Sequence, residues 1–69
     1  MDSAMLEKNF KYHAPKDDQP QRYVAIRESG KELARLIMAY SHPSREQSLA
    51  LTKVEEAIMW ANAGIARNE

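Results

Sequence analysis

A chain of 69 residues with ten Lys and Arg, ten Asp and Glu and no net charge allows one small domain, near the lower limit at which a single core holds a fold. The neutral balance disfavours long DNA or RNA as a partner, because such binders work by neutralising phosphates. It leaves room for a small anion held by two or three local cations. With no cysteine and two histidines, neither a disulfide nor a structural zinc site is expected, so oligomerisation is the stabiliser that remains.

Residues 2–9 read as a short helix, with Asp2 or Ser3 as N-cap and Met5 and Leu6 as its apolar contacts. It is too short to stand alone and must dock on something. Residues 10–20 follow as a loop with Pro15, Pro20 and the Asp17-Asp18 pair; each proline removes a backbone donor and biases its predecessor to extended geometry. Together residues 1–20 form an N-terminal arm and loop. The first long helix is predicted over 21–40, with Pro20 suited to its start. Tyr23, Ile26, Gly30, Leu33, Ile37 and Tyr40 recur at alternating steps of three and four, the spacing of a coiled-coil-like seam. Gly30 in that seam costs about 1 kcal/mol of helix propensity, which predicts a close approach of another helix there.

Residues 41–44 break this helix with a short turn, and Ser44 followed by Gln47 fits the capping box that opens a second helix over 44–67. Its seam is Leu51, Val54, Ile58, Ala61 and Ile65. So short a connection makes the two helices antiparallel neighbours. The expected fold is all-α: a short N-terminal helix plus an antiparallel two-helix hairpin, assembled as a homo-oligomer. Leu36, Met38, Leu49, Met59 and Trp60 lie off both seams and are the expected subunit contacts. No run of about twenty apolar residues is present, so no transmembrane span is expected. The charged N-terminal residues lack the apolar stretch of a secretory signal, and the expected compartment is the cytoplasm.

No catalytic constellation stands out, and the chain is not expected to be an enzyme or to use a cofactor or metal. There is no thiol, phosphate loop or metal-binding spacing. Glu55 and Glu56 are adjacent and point about 100° apart on a helix, so they form no acid–base pair within one subunit. His42, in the turn before Pro43, reads as solvent-exposed or capping. The Tyr12-His13-Ala14-Pro15 loop is more informative: an aromatic ring on a proline-stiffened loop can stack on a nucleobase for about 1–3 kcal/mol. The alternative is that Phe10 and Tyr12 staple the arm onto the hairpin. Arg27, Lys31 and Arg35 form a ridge at four-residue spacing, either paired with Glu28 and Glu32 on a solvated face or meeting phosphates. In the second helix Ser48, Thr52, Glu55, Asn62 and Arg67 are the polar positions of note. A buried Asn62 requires a hydrogen bond, across an interface or to a ligand, while Arg67 also suits a helix C-terminus.

Four motifs together resemble the phage anti-CBASS sponge proteins: Phe10-x-Tyr12-His13-x-Pro15; Tyr23-x-x-Ile26-Arg27; Pro43-x-x-Glu46-x-Ser48-x-Ala50-Leu51; and a closing helix carrying Glu56, Ala57, Met59, Trp60, Ala61, Asn62, Ala63, Ile65, Ala66 and Arg67. The resemblance covers nearly the whole chain from Phe10 onward. It implies a small helical hairpin assembled as a hexamer that binds, and does not hydrolyse, the cyclic oligonucleotide messengers of infected bacteria. Cyclic dinucleotides such as cyclic GMP-AMP and cyclic di-AMP are expected between two subunits, with a separate pocket for cyclic trinucleotides. By position, Tyr12 is the base-stacking residue, with His13 and Pro15 on the same loop, and Arg27 or Lys31 the phosphate contact. Asn62 and Arg67 belong to the trinucleotide pocket on the same reading.

Simple symmetry makes this compatible with a neutral chain. A two-fold interface presents each side chain twice, so one Tyr12 and one Arg27 become two stacking faces and two cations. The competing expectation is a small oligomeric phage module whose Leu36, Met59 and Trp60 surface captures a host protein.

Overall fold

The computed structural model describes residues 1–69 and contains three α-helices and no strand: α1 (Ser3–Phe10), α2 (Gln19–Tyr40) and α3 (Arg45–Asn68). Asp2 is the N-cap of α1, its Oδ1 accepting from the Met5 amide at 2.8 Å. α2 begins at Gln19, two residues before the sequence-based start, with Pro20 in its first turn and Asp18 as an N-cap whose side chain makes no cap bond. Ser44 caps α3 by accepting from the Gln47 amide at 3.1 Å. The reciprocal half of the expected capping box is missing. The Gln47 side-chain amide turns back across the turn instead, donating to Ser41 O at 3.0 Å and Ser41 Oγ at 3.2 Å, and so ties the two long helices at their junction.

α2 and α3 are antiparallel: the start of α2 meets the end of α3 through Gln19–Ile65 and Arg22–Glu69, and Gly30 lies against Ile58 and Val54. At Gly30 the added Cβ of any other residue would stand 2.1 Å from Ile58 Cδ1. The close approach predicted from the seam glycine is therefore present, and the side chain it lacks makes the space for Ile58.

The seam itself differs from the sequence pattern at three positions. Leu33 is 50% exposed, Tyr40 86% exposed, and Ala61 is exposed, whereas Ala34 and Asn62 are partly buried. The facing residues are Tyr23, Ile26, Gly30, Ala34 and Ile37 on α2 and Leu51, Val54, Ile58, Asn62 and Ile65 on α3. Both sets run in steps of three, four, four and three. Over Tyr23–Ile37 and Leu51–Ile65 each set keeps the average spacing of the sequence pattern. Apart from Tyr40, the difference is thus a one-residue shift at a single position of each helix, from Leu33 to Ala34 and from Ala61 to Asn62.

The resulting body measures 44 × 28 × 12 Å, one helix thick, with a radius of gyration of 15.1 Å against about 11 Å for a compact chain of this length. No hydrophobic residue is buried; Gln19 alone is. Leu36, Met38, Leu49, Met59 and Trp60, placed off the seams by the sequence, are all exposed. The accessible surface is 5540 Å², whereas a compact monomer of 7.9 kDa exposes about 4,400 Å². No helix is long and apolar enough to cross a membrane.

Candidate functional site

Residues 11–18 form a loop between α1 and α2 that presents Tyr12 with its side chain 81% exposed. Neither Tyr12 nor Phe10 is packed against the hairpin, so the stapling alternative does not describe their place in the single chain. The arm is held by other groups. His13 Nε2 lies 2.8 Å from the Lys8 carbonyl, fixing the tautomer that carries its proton on Nε2 and tying the loop to the end of α1. Lys8 Nζ donates to Asn68 Oδ1 at 3.0 Å, which ties α1 to the end of α3. Pro15 is exposed beside them.

The base of the loop is a tight turn. Asp17 has φ 52°, in the left-handed region that Asp tolerates better than most residues. Gln19 N–H donates to the Lys16 carbonyl at 3.0 Å, and Gln19 Oε1 accepts from the Lys16 N–H at 3.2 Å, so residue 16 is bonded on both sides by residue 19. Next to this turn Arg22 donates from Nη1 to Glu69 Oε2 at 3.1 Å, pairs through Nη2 with Glu69 Oε1, and reaches Asp18 at 3.2 Å. The hydrogen bond to Glu69 raises the Arg22 pKa, so this guanidinium stays charged at every working pH. The same bond holds the Glu69 carboxyl below its ordinary 4.5, against partial desolvation.

Farther along α2, Arg27 and Lys31 line an open groove with Gly30, Met38, Val54 and Ile58, across from Glu55. The ion pairs of the chain are Arg22 with Asp18 and Glu69, Arg35 with Glu32 at 2.8 Å, and Lys53 with Glu56 at 3.5 Å. The Glu28–Lys31 pair anticipated from sequence does not form. Arg27 and Lys31 are thus exposed cations that form no ion pair within the chain, while the third member of the ridge, Arg35, is paired. Glu55 and Glu56 diverge, one lining the groove and the other pairing with Lys53. His42 is exposed in the turn.

Arg67 lines a second groove, between α1 and α3, with Met5, Lys8, Asn9 and Trp60. Asn62, five residues earlier and about 140° around the helix, is turned to the seam, and its Oδ1 is buried with no hydrogen-bond partner in the chain. Asn62 and Arg67 therefore do not converge within one subunit. A buried amide oxygen without a partner costs about 1–3 kcal/mol.

One residue and one ion pair of this region are not evident from the sequence. Gln19 sits in a polar Asp-Asp-Gln-Pro run, and glutamine is mostly exposed in proteins, so nothing flagged it as the buried residue. The Arg22–Glu69 pair joins residues far apart in sequence; only the antiparallel register of α2 and α3 could have indicated it.

The family model described as "Acb2/Tad1, hairpin domain" matches residues 2–66. No curated protein and no solved structure matches the chain. The chain belongs to the Acb2/Tad1 hairpin family, the anti-CBASS sponge family that its motifs resemble.

Proposed function

We propose that this chain forms a homohexamer that binds and sequesters cyclic di- and trinucleotide second messengers without cleaving them, and so blocks CBASS antiphage signalling in the cytoplasm of the infected bacterial cell. The observation that carries this reading, given the family, is a Tyr12 ring that nothing in its own chain covers, on a loop tied at both ends. Such a ring is a ready stacking face for a nucleobase. Arg27 and Lys31, free of intramolecular partners, supply cations for the phosphates, and a pocket shared between two subunits desolvates those charge-assisted bonds.

Assembly is supported by the surface balance. The single chain exposes roughly 1,100 Å² more than a compact monomer of its mass, more than the roughly 800 Å² that each partner contributes to a standard interface. The exposed apolar residues are consistent with that demand. Asn62 and the groove around Arg67 become parts of a trinucleotide pocket only when subunits bring them together.

Isothermal titration with cyclic GMP-AMP, cyclic di-AMP and a cyclic trinucleotide tests the reading, followed by denaturation and chromatography of the released ligand. Saturable heat and intact ligand are expected. No heat from any of the three, or release of cleaved products, overturns it.

The exposed Trp60, at 62%, with Met59 and Leu36 favours one second reading, capture of a host protein on an apolar helix face. It requires that these residues stay accessible after the oligomer forms and that cyclic nucleotides give no thermal shift.

A further inference from the structure

We propose that Gln19 is a positioning residue for the binding loop: its side-chain amide locks the turn at the loop's base onto α3 and so fixes how Tyr12 is presented. The inference rests on the reading of Tyr12 as the base-stacking residue. Gln19 is 3% exposed in a chain that buries no hydrophobic side chain, so the best-protected point of the molecule is a polar junction. Its amide joins three segments that no helical hydrogen bond connects. Oε1 accepts from the Lys16 N–H in the loop at 3.2 Å and from the Tyr23 hydroxyl on α2 at 3.5 Å. Nε2 donates to the Ile65 carbonyl on α3 at 3.5 Å.

The junction also sustains an unfavourable backbone. Asp17, at φ 52°, lies inside the turn that Gln19 closes with its main chain on one side of Lys16 and its side chain on the other. A residue in that region persists when the surroundings over-determine it. Two other ties hold the loop: His13 to Lys8, which runs to α1 and on through the exposed Lys8–Asn68 bond, and the exposed Asp18–Arg22 ion pair at 3.2 Å, which continues to Glu69. The Gln19 junction is the buried tie that refers Tyr12 to the rigid hairpin. Without it, the loop must be ordered when the ligand binds, and affinity falls by that ordering cost.

The test is Gln19→Met, which keeps the side chain's length and helix propensity and removes both polar atoms. Hydrogen exchange on the unliganded protein is expected to rise about tenfold or more at the Lys16 and Gln19 amides, the two that donate hydrogen bonds within the turn, with seam amides near Gly30 and Val54 unchanged. Dissociation of cyclic GMP-AMP, followed by stopped flow, is expected to quicken about tenfold with unchanged stoichiometry per chain. Should Gln19→Met fail to fold, Gln19→Asn keeps the amide but shortens its reach and gives the same local effect. Wild-type exchange at the Lys16 and Gln19 amides, a rise spread equally over the seam, or a loosened turn with wild-type dissociation each overturns the proposal. If the wild-type protein takes up no cyclic nucleotide, the sponge reading falls, and the exchange arm alone decides whether Gln19 holds the loop.

Discussion

Gly30 of α2 and Ile58 of α3 occupy one another's space: an ideal Cβ on residue 30 would stand 2.1 Å from Ile58 Cδ1 and 2.8 Å from Cγ1. Gly64 of α3, by contrast, has nothing within 4 Å of its Cβ position. The same substitution should therefore act with opposite signs at the two glycines. Each alanine recovers about 1 kcal/mol of helix propensity, but at residue 30 overpacking costs about 1–3 kcal/mol. Gly30→Ala is expected to lower stability in urea unfolding followed by circular dichroism, by about 1 kcal/mol net, and Gly64→Ala to raise it by up to about 1 kcal/mol. A Gly30→Ala protein more stable than wild type would mean that Ile58 swings aside without cost.

The exposure of Tyr12 separates a stacking role from a structural one. Tyr12→Ala removes a ring that touches little of its own chain, so folding and assembly should be unchanged while cyclic dinucleotide binding weakens by about 1–3 kcal/mol per stacked base. Arg27→Ala should also weaken binding, and it alone should flatten the dependence of affinity on salt, because it removes a cation rather than a π-face. Titration calorimetry at two salt concentrations, with sedimentation to report the oligomer, reads both effects. An oligomer that falls apart on Tyr12→Ala would show that the ring is a subunit contact.

How much of this was legible in the residues varies with the range of the interaction. The helices, the turn and the Gly30 contact follow from local spacing and caps. The seam differs at Leu33 and Ala61 because each has a neighbour, Ala34 and Asn62, that fits the same average spacing, and only the packing of the two helices decides between them. Tyr12, Arg27 and Lys31 are legible as candidates from residue type and position alone. The free state of the two cations was not, since Glu28 and Glu32 offered equally good local partners and only the side-chain arrangement shows Glu32 taken by Arg35. Gln19 was illegible, because its burial depends on the end of α3 arriving beside it from the far end of the sequence.

The Arg22–Glu69 pair sets an acid dependence for the loop's base. The Glu69 pKa is lowered in the folded chain, chiefly by the Arg22 hydrogen bond. A depressed acid contributes stability that is present above its unfolded value and lost as pH falls through its folded value. The contribution is thus complete at pH 7 and fades as pH falls below about 4.5. Arg22, its pKa raised, stays charged throughout this window. Melting temperatures of wild type and Glu69→Gln should differ at pH 6 and above and converge in acid. A gap that persists unchanged to pH 3 would show that the carboxylate's charge plays no part.

Asn62 offers the sharpest separation between the two proposed ligand pockets. Its Oδ1 is buried in the hairpin seam without a partner, where the preceding and following contact positions are Ile58 and Ile65. Replacing an unsatisfied buried amide by an apolar side chain relieves a penalty of about 1–3 kcal/mol. Asn62→Leu is therefore expected to raise the melting temperature of the ligand-free protein. The same change removes the group proposed to meet a cyclic trinucleotide, so that binding should be lost, while cyclic dinucleotides, held by Tyr12 and Arg27, should bind as before. Calorimetry with one ligand of each class on the same preparation decides it. A protein that is more stable yet binds both classes would make Asn62 an ordinary seam residue. One that loses both would place it in the subunit interface on which both pockets depend.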